Sequence, residues 1–188
     1  MFEYDDVIEY IKNLFEGNVD GHDLNHSIRV YKMALKIGEA YPEADKKVIA
    51  YGALLHDVDD HKLFDTENNK NARDFLRDRV EAEMMERICQ VINSVSFSKN
   101  KGKKPETLEA CIVQDADRLD AMGAIGVART FAYGGRMGRS MEESAQHFYD
   151  KLLKLKDMIN TSEAMKIARE RHKILEDFIK EFQEETGL

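Results

Sequence analysis

An all-α fold, one helical bundle spanning residues 1–188 as a single domain, is predicted by three observations. Apolar residues recur at three- and four-residue intervals along nearly the whole chain. No segment alternates apolar and polar residues as a half-buried strand would. Prolines number only 2, and no stretch rich in Pro, Gly or Ser separates one region from another. A chain of 188 residues suits one domain. At that size folding buries roughly 70% of the unfolded surface, so disulfides are not needed.

The elements follow in order. Val7, Ile8, Ile11, Leu14 and Phe15 mark one face of a first helix, and Gly17 and Gly21 bracket a break. A second helix starts near Asp23 or Asn25 and carries Val30, Met33, Ala34 and Ile37. Pro42 belongs to the turn after it, because the residue before a proline is biased away from helix. A third helix, from about Ala44, runs through Val48, Ile49, Gly52 and Leu55 to His56 and Asp57. Residues 59–71 read as a polar loop, and 72–95 as a short and a long helical piece. Residues 96–104 form a basic loop, and Pro105 suits the first turn of the next helix, which carries Leu108, Cys111, Ile112 and Leu119. Gly123, Gly126, Gly134, Gly135 and Gly138 punctuate the region after that helix. Two long helices close the chain, with Asn160 and Glu163 spaced as a capping signal for the last.

Charge and composition exclude several functions. The formal net charge is -8, whereas a duplex-binding protein shows a basic surplus, so no nucleic-acid partner is expected. No run approaches the roughly 20 apolar residues of a spanning helix. The opening residues carry Glu3, Asp5 and Asp6 without the apolar stretch of a secretory signal. Cys89 and Cys111 form neither a CxxC pair nor a disulfide framework. A cytoplasmic location is therefore expected. The glycine-rich stretch 123–138 lacks the order of a phosphate-binding loop and comes after a helix. The nine methionines read as core fillers.

The residues able to do chemistry concentrate in the first two thirds. His22, His26, His56 and His61 cluster with Asp23, Asp57, Asp59 and Asp60. His56-Asp57 ends an apolar helix. Imidazole with carboxylate is a mixed donor set suited to manganese, iron, cobalt, nickel or zinc rather than calcium. His26, at the start of its own helix, is a candidate third ligand. A fourth is offered by Gln114-Asp115-Ala116-Asp117-Arg118-Leu119-Asp120, where helical spacing does not choose between Asp115 and Asp117. A carboxylate in a helix interior is costly unless paired or metal-bound. His61 reads as a solvated loop residue, and His147 and His172 as packing or surface residues.

In order and kind, His26, His56-Asp57 and Asp117 resemble the signature of the HD-domain phosphohydrolases. Gly21-His22-Asp23-Leu24-Asn25-His26 with Arg29-Val30 is similar to the family's first motif, and Ala116-Asp117-Arg118-Leu119 to its last. The resemblance implies an HD-type bundle with His26, His56, Asp57 and Asp117 as metal ligands, which favours Asp117 over Asp115. It also implies a catalytic acid three residues past the ligand aspartate, a position held here by Asp60. Ser96-Phe97-Ser98-Lys99 and Arg129-Thr130-Phe131-Ala132-Tyr133-Gly134-Gly135 resemble a small bacterial branch, over about residues 3–183, within which nucleoside-triphosphate pyrophosphohydrolases are known.

The function implied is that of a metal-dependent phosphohydrolase of nucleotides, with one divalent ion (manganese, nickel, cobalt, iron, zinc or magnesium) as cofactor. Arg29, Lys62 and Lys99 are expected to hold substrate phosphates, with Lys101, Lys103 and Lys104 adding local positive charge. His22 and Asp115 are expected to support the ligands. Attack at the α-phosphate would release pyrophosphate and a monophosphate; attack at a terminal phosphate would release inorganic phosphate. The alternatives are hydrolysis of a signalling nucleotide, such as guanosine tetraphosphate or a cyclic nucleotide, and a metal-bound nucleotide sensor without turnover. The expected partner is a small-molecule nucleotide, and a homodimer is compatible with the size.

Overall fold

A computed structural model describes residues 4–16, 24–61, 63–96, 100 and 103–187. His22, Lys62 and Lys99, three of the expected site residues, lie outside them, as do Asp23 and Lys101. Among the described residues the structure is helical, with no strand. The elements are α1 (Asp5–Leu14), α2 (Leu24–Gly38), α3 (Lys46–Leu55), α4 (Lys70–Leu76), α5 (Ala82–Val95), α6 (Leu108–Asp120), α7 (Gly123–Arg136), α8 (Met141–Asp150), a 3-10 helix (Leu152–Met158) and α9 (Ser162–Thr186). No helix among the described residues is long and apolar enough to cross a membrane.

The chain divides into two compact units, Met1–Ala116 and Asp117–Leu188. The first is organised around α3. Every residue of that helix from Val48 to Leu55 is buried, as expected of a helix packed on several sides. α2 and α5 pack on α3, α1 packs on α2 and α3, and α4 packs on α5. Asp45 caps α3, accepting from the N–H groups of Lys47 (3.0 Å) and Val48 (3.2 Å). Gly52 sets the closest approach: a Cβ there would lie 2.6 Å from Val91 Cγ1 on α5 and 3.8 Å from Val113 Cγ2 on α6.

In the second unit α9 packs on α7, α8 and the 3-10 helix, and α8 on α7. Phe131, Phe148, Phe178 and Phe182 form an aromatic cluster with neighbouring ring centroids 5.5 to 6.1 Å apart, Phe148 fully buried and the other three partly exposed. α8 opens on a capping box: Glu143 N–H donates to the Ser140 hydroxyl and Ser140 N–H to the Glu143 carboxylate.

Several boundaries differ from the sequence reading. The glycine-rich stretch holds a continuous helix, α7, to Arg136, and Gly126 and Gly134 sit in it where a side chain would collide with Ala121 O and Ser144 Oγ respectively. The closing region holds one ten-residue helix, a seven-residue 3-10 segment and one long helix of 25 residues, in place of two long helices. Thr161, rather than Asn160, caps α9, its hydroxyl accepting from Ala164 N–H. Pro105 precedes α6 instead of entering its first turn, and Thr107 Oγ1 accepts from Ala110 N–H. Asn68 and Asn69, both at φ 55, turn the chain into α4 through the left-handed region, which Asn tolerates better than most residues.

The contact at Gly52 predicts that Gly52→Val lowers unfolding free energy by about 1–3 kcal/mol, the usual cost of overpacking. Gly135 is helical and a Cβ there meets nothing within 4 Å. Gly135→Ala should instead stabilise by up to about 1 kcal/mol through helix propensity. Urea denaturation of the two variants checks both signs.

Candidate functional site

The site begins where α3 ends. His56 is its C-cap residue, and Asp57 comes next in a tight turn closed by Asp60 N–H donating to Asp57 O at 3.0 Å. His56 Nδ1 stands 2.7 Å from Ala53 O. A carbonyl oxygen only accepts, so Nδ1 carries the proton, and in the neutral ring Nε2 presents a lone pair. That lone pair faces the centre of the site.

Three further groups meet it there. His26, from α2, brings Nε2 to 3.1 Å from His56 Nε2, with the two rings edge to face at 5.1 Å. Asp57 Oδ2 lies 3.1 Å from His56 Nε2 and 3.4 Å from His26 Nε2. Asp117 supplies the last: His26, His56 and Asp117 each offer a ligand atom within 4.8 Å of the others. The side chains of His26, His56 and Asp57 are 3%, 2% and 10% exposed. A bare imidazole lone pair 3.1 Å from a buried carboxylate oxygen is repulsive unless positive charge stands between them. The set of two Nε2 atoms and two carboxylates therefore fits a divalent transition-metal ion.

Asp115 lies on the same helix but is fully buried and is not one of the three clustered ligand groups. Beside it Gln114 Nε2 donates to Ser94 O at 2.8 Å, tying α6 to the end of α5. The far end of α6 is held by arginines. Arg171 donates to Leu119 O at 2.6 Å, Arg118 to Met158 O, and Arg129 pairs with Asp120 at 2.5 Å. Burial holds the Arg171 guanidinium below its usual range, opposed by Asp120. Gly123, at φ +66, turns the chain directly after α6, where a Cβ would lie 3.1 Å from Arg171 Cγ.

Asp60 closes the turn after Asp57, its side chain 13% exposed with His61 Nδ1 at 3.5 Å. His61 is largely exposed, as its loop position suggests. Arg29 is half-buried, one turn past His26 on α2. Lys103 and Lys104 are exposed. His172 is buried in α9 with Nε2 3.2 Å from Glu176, a packing residue as its sequence suggests. Asp59 is the residue whose part the sequence reading left unassigned. Thr66 Oγ1 donates to its Oδ1 at 2.7 Å, Asn71 N–H donates to the same oxygen at 3.0 Å, and Ala72 N–H donates to Oδ2 at 3.0 Å.

Comparison with known proteins accords with this geometry. The HD domain family matches residues 23–122, from the residue before α2 to just past α6. YpgQ of Bacillus subtilis is 37% identical over 186 residues, covering 94% of this chain and 90% of YpgQ. An HD-superfamily hydrolase from Bacillus thuringiensis superposes with a TM-score of 0.81 at 39% identity, covering 98% of this chain and 97% of that one. The crystal structure of YpgQ in complex with ADP superposes with a TM-score of 0.82 at 32% identity, covering 96% and 93% of the two chains. A family match over more than half of the sequence, joined by near-full-length relatives above 30% identity, establishes that this chain belongs to the HD-domain superfamily of metal-dependent phosphohydrolases.

Proposed function

We propose that the protein hydrolyses nucleoside triphosphates to monophosphate and pyrophosphate, with one divalent ion, manganese first among the candidates, held by His26, His56, Asp57 and Asp117. The observation that carries this reading is the meeting of two imidazole nitrogens and the Asp57 carboxylate within 3.4 Å in a nearly dry space. The complex of YpgQ with ADP supports a nucleotide as the substrate class.

When bound, the ion supplies a Lewis acid for a phosphoryl oxygen and lowers the pKa of a coordinated water. The chain's own residues do the rest. His56 is fixed in orientation by its proton to Ala53 O. Asp60, three residues past Asp57, accepts a proton from the attacking water at its carboxylate. Arg29, on the same face of α2 as His26, holds phosphate charge, and Lys62 and Lys99 extend that role along the phosphate chain. His22 and Asp115 support the ligands. The two cysteines are buried free thiols, in keeping with a reducing cytoplasm.

The direct test is a product-resolved assay of ribo- and deoxynucleoside triphosphates with manganese. The expected products are nucleoside monophosphate and pyrophosphate. Release of inorganic phosphate alone overturns the bond assignment, and ligand binding without product under any metal overturns the reaction. Asp57→Ala should lose both metal content and turnover. Asp60→Ala should keep the metal while kcat falls by roughly 10²-fold or more. Manganese at about 100 times its Kd should stabilise the wild type against unfolding by roughly 2.7 kcal/mol, and Asp57→Ala should lose that gain.

A further inference from the structure

α4 is seven residues long, and its N-cap residue, Asn69, makes no side-chain cap. The first N–H groups of a helix have no partner within it, so α4 needs an acceptor from elsewhere. Asp59, more than ten residues upstream, provides it. Its carboxylate accepts from Asn71 and Ala72 N–H and from the Thr66 hydroxyl. An ionised acceptor on backbone donors at a helix start makes a strong, charge-assisted bond. A second tie runs beside it, with Asn71 Nδ2 donating to Val58 O at 2.7 Å. On the other side of α4, Tyr10 of α1 donates from its hydroxyl to Asn71 O at 3.0 Å. Burial, and then the carboxylates of Asp59 and Asp74, push the Tyr10 phenol up, so it remains a donor.

Val58 and Asp59 are the two residues between Asp57 and Asp60. The turn is closed on itself at both ends: Asp60 N–H donates to Asp57 O, and Asp60 O accepts from Leu63 and Phe64 N–H, each at 2.9 Å. It is pinned at its middle by the bonds from α4 and Thr66. Asp59 is only 8% exposed, and both of its oxygens are engaged with this strap.

We infer that Asp59 is a positioning residue, which fixes the turn after α3 to the start of α4 and so sets the place of the Asp60 carboxylate relative to Asp57. This inference rests on the base role proposed for Asp60. The two adjacent acids divide the labour, one on the backbone of α4 and the other, in this reading, on the attacking water.

The test uses the full chain with manganese. Asp59→Asn keeps the acceptor at one oxygen and places an amide N–H₂ against Ala72 N–H. Its metal content should match the wild type, and KM should hold. Its kcat should fall roughly 10- to 100-fold, the scale of a misplaced catalytic group. Added to Asp60→Ala, it should cause no further loss, because it acts through Asp60. Thr66→Val, which removes a single bond, should show a smaller fall in the same direction and serves if Asp59→Asn folds poorly. Wild-type kcat in both single variants, or a full multiplicative loss in the double variant, overturns the inference. Hydrogen exchange at residues 58–72 separates this from the reaction itself. If the wild type turns over no nucleotide, the functional reading fails, and the strap is judged by exchange alone. Faster exchange at Asn71 and Ala72 in Asp59→Asn then supports the strap, and unchanged protection overturns it.

Discussion

Two imidazoles and a carboxylate do not share a dry space without positive charge among them, and the first unit of this protein is arranged around that constraint. The orientation of one ring carries most of the consequence. Because His56 Nδ1 gives its proton to Ala53 O, its other nitrogen is aimed at His26 and Asp57 with a lone pair. The backbone of α3 thus stands where the outer partner of a metal-binding histidine would, and it fixes the ring. No separate side chain is needed for the task, which falls to the helix that carries His56.

The rest of the first unit depends on where α3 must end. A helix buried from Val48 to Leu55 places its last turn among packed neighbours, so the groups emerging from it are desolvated at once. Gly52 lets α5 approach α3 closely, with Val91 where a side chain would stand. α6 carries Asp117, and its last residues are held by Arg171 on Leu119 O and by Arg129 on Asp120. Helix packing and ligand placement are therefore one problem in this fold, as in other bundles whose sites are built from facing helices.

Much of this was legible in the sequence. The three-and-four spacing pointed to the helices, and the adjacent His56-Asp57 at the end of an apolar helix pointed to the place where His26 and Asp57 meet His56. The choice of Asp117 over Asp115 came from the resemblance to the HD signature and not from periodicity; the structure gathers the Asp117 carboxylate with His26 and His56 and leaves Asp115 deep in the core. The part of Asp59 was hidden for a physical reason. Asn69 looks like a local helix cap, but its left-handed backbone denies its side chain that place, and the true acceptor comes from across the loop. The 3-10 segment after α8 was likewise missed, since Leu152 and Leu155 keep a spacing that suits either kind of helix.

The left-handed pair Asn68–Asn69 has a consequence for how this region can vary. Asparagine, aspartate and glycine enter that conformation cheaply, whereas other residues pay roughly 1–2 kcal/mol at each position. Two such positions in succession confine drift to a very small alphabet. Because the strap beside them reaches back to the turn that holds Asp57 and Asp60, an inconspicuous pair of surface amides acts as a gauge block, whose replacement would be felt far from where it is made.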